Sequence, residues 1–482
     1  MSVVGTVARD ELRHLVRNRV ALTGAVMLAL LALVAAVTSF AQARATTELR
    51  DRYQAQANER FENQPDRHPH RVVHYGHFVF RPLGPLAAFD PGVDPFTGSA
   101  MFLEGHRQNS ANFGDVRQSS LLVRFGQLTP AFVLHTLAPL VLIFLGYGAL
   151  ARERERGTLR QLLAQGVSAR RLVAGKALGL GSAAGAIALP ALVTLLVIAL
   201  RPGVSATPVA ILGLGYLLYL LVWTLVVVLV SSLASRARDA LIALVAIWAV
   251  SVVLLPRVAP DLAVAARPIP TRLETDIAIA RDLRSMGDSH NPDDPFFAAF
   301  KKRTLERYGV GRVEDLPVNY RGLVAVEGEK LTSSLFDRYA DASFAEQKAQ
   351  SGIVDVAGAL SPAILVRRLS MAAAGTDLAG HQRFLEQAEA YRYAIVQRLN
   401  GLQATTVTAA DDAAKSSDAE AERRSRVDAG NFAAIPDFRF RPVAPDTLAR
   451  SALPGVLGLS VWAAILAGAL VLASRRLGEA RA

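Results

Sequence analysis

Hydrophobic residues along this chain are gathered into six runs that contain no Asp, Glu, Lys or Arg: residues 20–40, 128–150, 177–200, 208–233, 240–256 and 453–474. Each run is 17 to 26 residues long, which as an α-helix spans the hydrocarbon core of a bilayer. The pattern predicts an all-α polytopic membrane protein with six transmembrane helices. The competing reading is six buried helices of a large soluble core, and such cores seldom supply six charge-free runs. The first run is longer than the apolar centre of a signal peptide and no small-residue cleavage site clearly follows it, so it reads as a retained helix.

Polar residues divide the rest into an amino-terminal piece (1–19), a first large segment (41–127), a loop (151–176), two short turns (201–207 and 234–239), a second large segment (257–452) and a tail (475–482). The first large segment is rich in aromatics, Pro and Gly, as in HYGHFVFRPLGPLAAFDPG at 74–92, which predicts loops and short strands. The second reads as mainly helical. Thr376 or Asp377 can cap a helix whose apolar residues Phe384, Leu385, Ala388, Tyr391 and Ile395 recur at helical spacing, with a stop near Asn400 and Gly401. The polar stretch 404–430 predicts a mobile loop or a solvated helix end. No internal repeat is present.

Charge sets the expected orientation. With the amino terminus inside, the inside pieces hold 16 Lys and Arg in 59 positions, against 37 in about 290 outside. Both termini are therefore expected in the cytoplasm and both large segments outside it. The inside pieces contain six acidic residues, so they carry nearly all of the net charge of +11. The basic character thus reports topology and anionic lipid headgroups, without nucleic acid. Cysteine is absent, which excludes disulfides and thiolate metal sites. Frequent Ala and Arg suit a high-GC bacterial genome, hence a bacterial cytoplasmic membrane.

Two amphipathic elements stand at the inner face. In the loop 151–176, Leu159, Leu162 and Leu163 form one apolar stripe, Gly166 can end that helix and Ser168 can cap the next. A stripe there needs lipid headgroups or a protein groove. Before the first span, Ala8, Leu12, Leu15 and Val16 line one face, while Arg9, Arg13 and Arg17 can meet phosphates. An elbow helix in the membrane plane, or simple anchoring, accounts for this pattern equally well.

The run ERERGTLRQLL at 153–163, followed by SARRLVAGK, resembles the signature after the second helix of ABC-2 type permeases. The similarity is to the branch containing the permease for nitrous-oxide-reductase maturation. Further stretches, PHRVVHYGHFVFRP (69–82), DPGVDPFTG (90–98), LPVNYRGL (316–323) and GTDLAGHQRF (375–384), resemble a subgroup with two large outer inserts, of the DUF3526 type. Together they cover essentially the whole chain. The resemblance implies a six-helix domain with an elbow helix, a dimer with a second copy or a paralogue, and two separate cytoplasmic ATPases that bind ATP and Mg. Carried onto this sequence, Glu153, Glu155, Gly157, Thr158 and Leu159, with Leu162 and Leu163, would form the ATPase-coupling region. The resemblance names no substrate.

The residues agree with an engine supplied by another chain. No G-x-x-x-x-G-K-[ST] loop is present, since Gly175 and Lys176 are followed by Ala177 at a span boundary. Of Asp, Glu, Lys, Arg and His, the spans hold only His135, whereas ion-driven carriers usually keep intramembrane carboxylates. No H-E-x-x-H, G-x-S-x-G or cysteine motif supports a hydrolase, and no catalytic residue is assigned. His68, His70, His74 and His77 lie close together, and neutral imidazoles can ligate Zn or Cu. Their spacing matches no zinc pattern and only Asp66 is near, so hydrogen-bonding histidines are the competing reading; His70 and His74 fall within the family-like stretch. The functional expectation is an ABC permease subunit, the alternatives being an ATP-driven mechanotransmitter that grips an outer partner protein and a metal-handling maturation factor.

Overall fold

The computed structural model describes residues 2–109, 111, 127–287, 291 and 293–479. Helix α1 (Val3–Arg17) turns at Asn18 into α2 (Arg19–Glu62), a single helix of 44 residues, about 66 Å long. A short helix α3 (Pro69–Tyr75) leads to strands β1 (His77–Phe80) and β2 (Ala100–Leu103), which pair antiparallel with His77 opposite Leu103. Then come α4 (Pro130–Glu155), α5 (Thr158–Ala164), α6 (Ala169–Ala199), α7 (Ala206–Leu233) and α8 (Ala237–Ala266). The second polar segment forms α9 (Arg272–Met286), α10 (Pro295–Tyr308), α11 (Tyr320–Ala357), α12 (Pro362–Ala374) and α13 (Leu378–Thr406) before α14 (Pro445–Glu479). Helices α2, α4, α6, α7, α8 and α14 are long and apolar enough to cross a membrane. The protein is an all-α polytopic membrane protein, with one small two-stranded antiparallel sheet among the described residues.

Helix α7 is the axis of the bundle and packs on α14, α6, α4 and α12. Its Tyr216, Tyr219 and Trp223 are buried. Helix α12, which is not one of the six, is seated on the bundle between α7 and α14. Leu369 occupies a notch made by Gly215 and Gly455, where a β-carbon at either glycine would stand 2.6 Å from it. Only glycine lets the helices approach this closely. One residue on, Ser370 accepts from the Tyr216 hydroxyl at 3.1 Å and donates to the Asp90 carboxylate. The Thr376 hydroxyl donates to the Asp90 carbonyl at 3.0 Å. Bundle and both polar segments therefore share one buried polar node. A π-helical turn at Ala249–Leu254 lies against α12, and its Ser251 carbonyl accepts from Ser361 at 2.6 Å.

Both large polar segments fold into one head around α13. Phe61 from the far end of α2 joins Val72, Val73, Val396, Leu399 and Phe432 in one core cluster, and Val79, Met101, Phe384 and Phe438 form another. Arg392 on α13 is buried between Glu329 of α11 (2.6 Å) and Glu389 (2.7 Å). Three expectations need correction here. Residues 41–62 are helix, because their Ala, Arg, Glu and Gln are strong helix formers that prolong α2 into the head. Helix α13 does not stop near Asn400 and Gly401 but runs to Thr406, since Asn400 is buried and bonds to the Ala325 carbonyl at 3.1 Å. The stretch 404–430 holds short helices and the buried Asp412, so it is packed structure.

Candidate functional site

Gly157, with φ +74°, reverses the chain between α4 and α5. A β-carbon there would meet nothing within 4 Å, so glycine is required by the left-handed backbone alone. The Thr158 hydroxyl lies 3.1 Å from the Glu153 carbonyl and also bonds to the Glu153 carboxylate. Glu153 in turn receives Lys176 of α6 at 3.4 Å, and Lys176 donates to Glu11 of α1 at 2.6 Å. Arg154 donates to the carbonyls of Ser232 (2.7 Å) and Ala234 (2.6 Å) at the carboxyl end of α7, where a cation is favoured. Glu155 accepts from the Ala237 amide at the start of α8 at 3.2 Å, where an anion is favoured. The Ser231 hydroxyl ties the amides of Leu150 and Ala151 (3.0 and 3.1 Å) to the Tyr147 carbonyl. The turn thus grips α1, α6, α7 and α8 at once.

The apolar stripe of α5 is satisfied within the chain: Leu159 and Leu163 are buried in the bundle core and Leu162 packs beside them. The outward face consists of Arg156, Arg160, Gln161, Ala164 and Gln165. Of the seven residues singled out in this region, Glu155 and Gly157 are exposed, while Glu153, Thr158, Leu159, Leu162 and Leu163 serve its internal geometry.

The amino-terminal helix lies on α6, its approach permitted by Gly175 and Gly179. A β-carbon at Gly175 would stand 2.5 Å from Val7, and one at Gly179 2.8 Å from Glu11. This four-residue glycine spacing is the signal of close helix packing that the sequence carries at the start of α6. Ala8 and Leu15 are buried with Glu11, Leu12 is half-buried, and Val16 points outward at 62% exposure. Arg9, Arg13 and Arg17 are exposed.

The histidines separate by role. His68 caps α3 through the His70 amide (3.2 Å) and bonds to Asp412 at 3.0 Å. Burial alone would raise Asp412, but hydrogen bonds from His68, Lys415, Asn319 and Gln403 outweigh it and hold that carboxyl far below the usual range. His77 is buried against Phe61 and Tyr391, and burial pushes it down to about 4. His70 and His74 stand one turn apart on α3 with their Nε2 atoms 3.3 Å apart. His106, from the turn after β2, joins them, with ring centroids 5.9 and 5.3 Å away. No sequence signal placed His106 there, since the hairpin that returns it to α3 is a tertiary feature. His135 lies in the π-helical turn Val133–Leu137 of α4, its carbonyl accepting from Tyr219 at 2.7 Å.

Residues 5–287 match the family described as ABC-2 family transporter protein, and residues 272–441 match a domain of unknown function, DUF3526. No curated protein matches the chain. The first match takes in α1, five of the six long helices and the α4–α5 turn; the second covers most of the helical half of the head. The chain is a member of the ABC-2 family of transporter proteins, a multi-pass permease component whose head carries a DUF3526 domain.

Proposed function

We propose that this chain is the permease subunit of an ATP-driven ABC transporter of the bacterial cytoplasmic membrane, with both termini and α5 in the cytoplasm and the head outside. It works as a dimer with a second copy or a paralogue. Two separate ATPase subunits, which bind ATP and Mg, dock on the outward face of α5. The observation that carries this reading is the α4–α5 turn. It presents Arg156, Arg160 and Gln161 outward and is bonded to four other helices, so force applied there spreads through the bundle. Family membership supports an ATPase partner, and the density of basic residues supports the orientation.

The docking face is tested with Arg160→Glu combined with Gln161→Glu, both exposed. The variant is expected to insert and fold as the parent does but to lose co-purification with the P-loop ATPase in mild detergent. Undiminished co-purification would remove the docking face from α5.

A second reading, an ATP-driven mechanotransmitter that grips an outer partner protein without moving solute, is favoured by the seat of α12. The bundle meets the head through Leu369 and through the Ser370 node, so a movement of α7 or α14 is delivered to the head. Reconstituted complexes separate the two: cargo moved between compartments supports a transporter, and a nucleotide-dependent change in partner affinity with no cargo moved supports a mechanotransmitter.

A further inference from the structure

His70 and His74 of α3 and His106 of the turn after β2 are not used by the proposed permease role, and three features bring them together. His70 and His74 are four residues apart on one helix, so both rings leave the same face. The turn carrying His106 rests directly on α3: the Gly105 amide donates to the Val73 carbonyl at 3.1 Å, and a β-carbon at Gly105 would stand 2.1 Å from Val73. No other residue type at position 105 lets the turn lie this close. His106 itself adopts φ +62°, a left-handed conformation uncommon for residues with a β-carbon. It is held there by its amide, which donates to Glu329 at 3.3 Å.

We propose that His70, His74 and His106 form a three-imidazole site for a borderline divalent transition-metal ion, Zn²⁺ or Cu²⁺. One ring nitrogen from each of the three residues falls within 4.8 Å of the others. The 3.3 Å between His70 Nε2 and His74 Nε2 equals the separation, about 3.3 Å, of two nitrogens on a tetrahedral ion bonded at about 2.05 Å. A histidine–histidine hydrogen bond accounts for that pair but not for the third ring. Neutral imidazole is the ligating form, and the three rings already converge, with ring centroids 4.8 to 5.9 Å apart. His106 Nδ1 faces the buried Glu329 carboxylate at 3.5 Å, the outer-shell arrangement that orients a metal-binding imidazole. Glu329 is fixed in turn by Arg392 at 2.6 Å and by Ser333 at 3.1 Å. Oxygen-seeking Mg²⁺ and Ca²⁺ do not suit three nitrogens. Three protein ligands leave further positions open, and the exposed His74 provides the entry path.

The test uses the full-length chain in detergent, stripped with a chelator, dialysed and titrated calorimetrically with Zn²⁺ and with Cu²⁺. One equivalent of each ion is expected to bind, with affinity at least tenfold weaker in His74→Ala and in His106→Ala and unchanged in His14→Ala, an exposed histidine on α1. The Cu²⁺ complex of the parent should show nitrogen hyperfine structure from three imidazoles, reduced to two in either head variant. Elution as the parent protein on size exclusion controls for folding. Absence of a one-equivalent site, or a site that the head variants leave intact, would overturn the proposal.

Discussion

At the scale of the residue, the chain keeps several histidines and carboxylates out of water, and each answers its environment. His77 is the clearest case. Its ring is buried, neither ring nitrogen has a hydrogen-bond partner among the described residues, and the Asp437 charge offsets little of the burial. With a folded pKa of about 4 against an ordinary value of 6.5, the unfolded chain takes the proton first. The stability from neutral His77 is therefore complete above pH 6.5 and is lost as pH falls towards 4. Asp94, raised to about 6 by burial, acts oppositely over part of this window, so the informative quantity is a difference between proteins. His77→Phe should match the parent at pH 7.5 and resist acidification better, by up to about 3 kcal/mol at pH 4. Thermal midpoints of both proteins in detergent across pH 4 to 8 provide the check, and parallel curves would refute it.

At the scale of the element, helices are placed by what their neighbours lack. Gly175 and Gly179 allow α1 onto α6, and Gly215 and Gly455 allow α12 between α7 and α14. Closeness of this kind makes the polar pairs at these seams costly to break. Glu11 and Lys176 are both nearly buried and 2.6 Å apart. Lys176→Met should therefore lower stability by about 3–5 kcal/mol, since it strands a buried carboxylate. Glu11→Leu together with Lys176→Met should recover most of that loss, because two apolar side chains bring no charge to desolvate. Thermal midpoints of the three variants decide it: a double variant no better than Lys176→Met would show that the pair's geometry, rather than its charge, positions α1.

At the scale of the whole molecule, the question is how the bundle and the head act as one body. Two of the joints, besides the seat of Leu369, run deep into both. Helix α2 passes without interruption from the bundle to Phe61 in the head core, and the Tyr216, Ser370 and Asp90 node links α7, α12 and the first polar segment. The node predicts energetic coupling between distant parts of the chain. Tyr216→Phe and Ser370→Ala remove neighbouring members of one network, so their effects on thermal stability should be non-additive by roughly 0.5–3 kcal/mol. Strict additivity in the double variant would mean that the two hydroxyls contribute independently.

Much of this architecture was legible in the chain itself. A run of some twenty apolar residues has no stable exposed state in water, so composition and length alone dictate six membrane-crossing helices. The cap at Asp377, which accepts from the Gly380 amide at 3.0 Å, and the helix stop at Gly166, with φ +89°, are likewise local. What periodicity could not reveal were contacts between residues far apart in sequence, whose partners depend on how helices pack. Residues 41–62 carry strong helix formers, and what periodicity does not reveal is that this helix carries Phe61 to α13 in the head core. The α5 stripe fits lipid headgroups or a protein groove by its spacing, and only the packing turns Leu159 and Leu163 into the bundle core. His70 and His74 lie close together in the sequence within the family-like stretch, whereas His106 reaches them only because β2 returns the chain to α3. Residue order alone dictates which segments are apolar enough for lipid, while which buried surfaces meet, and where α2 and α13 end, follows from packing, because close contact is specified by shape and distance in space.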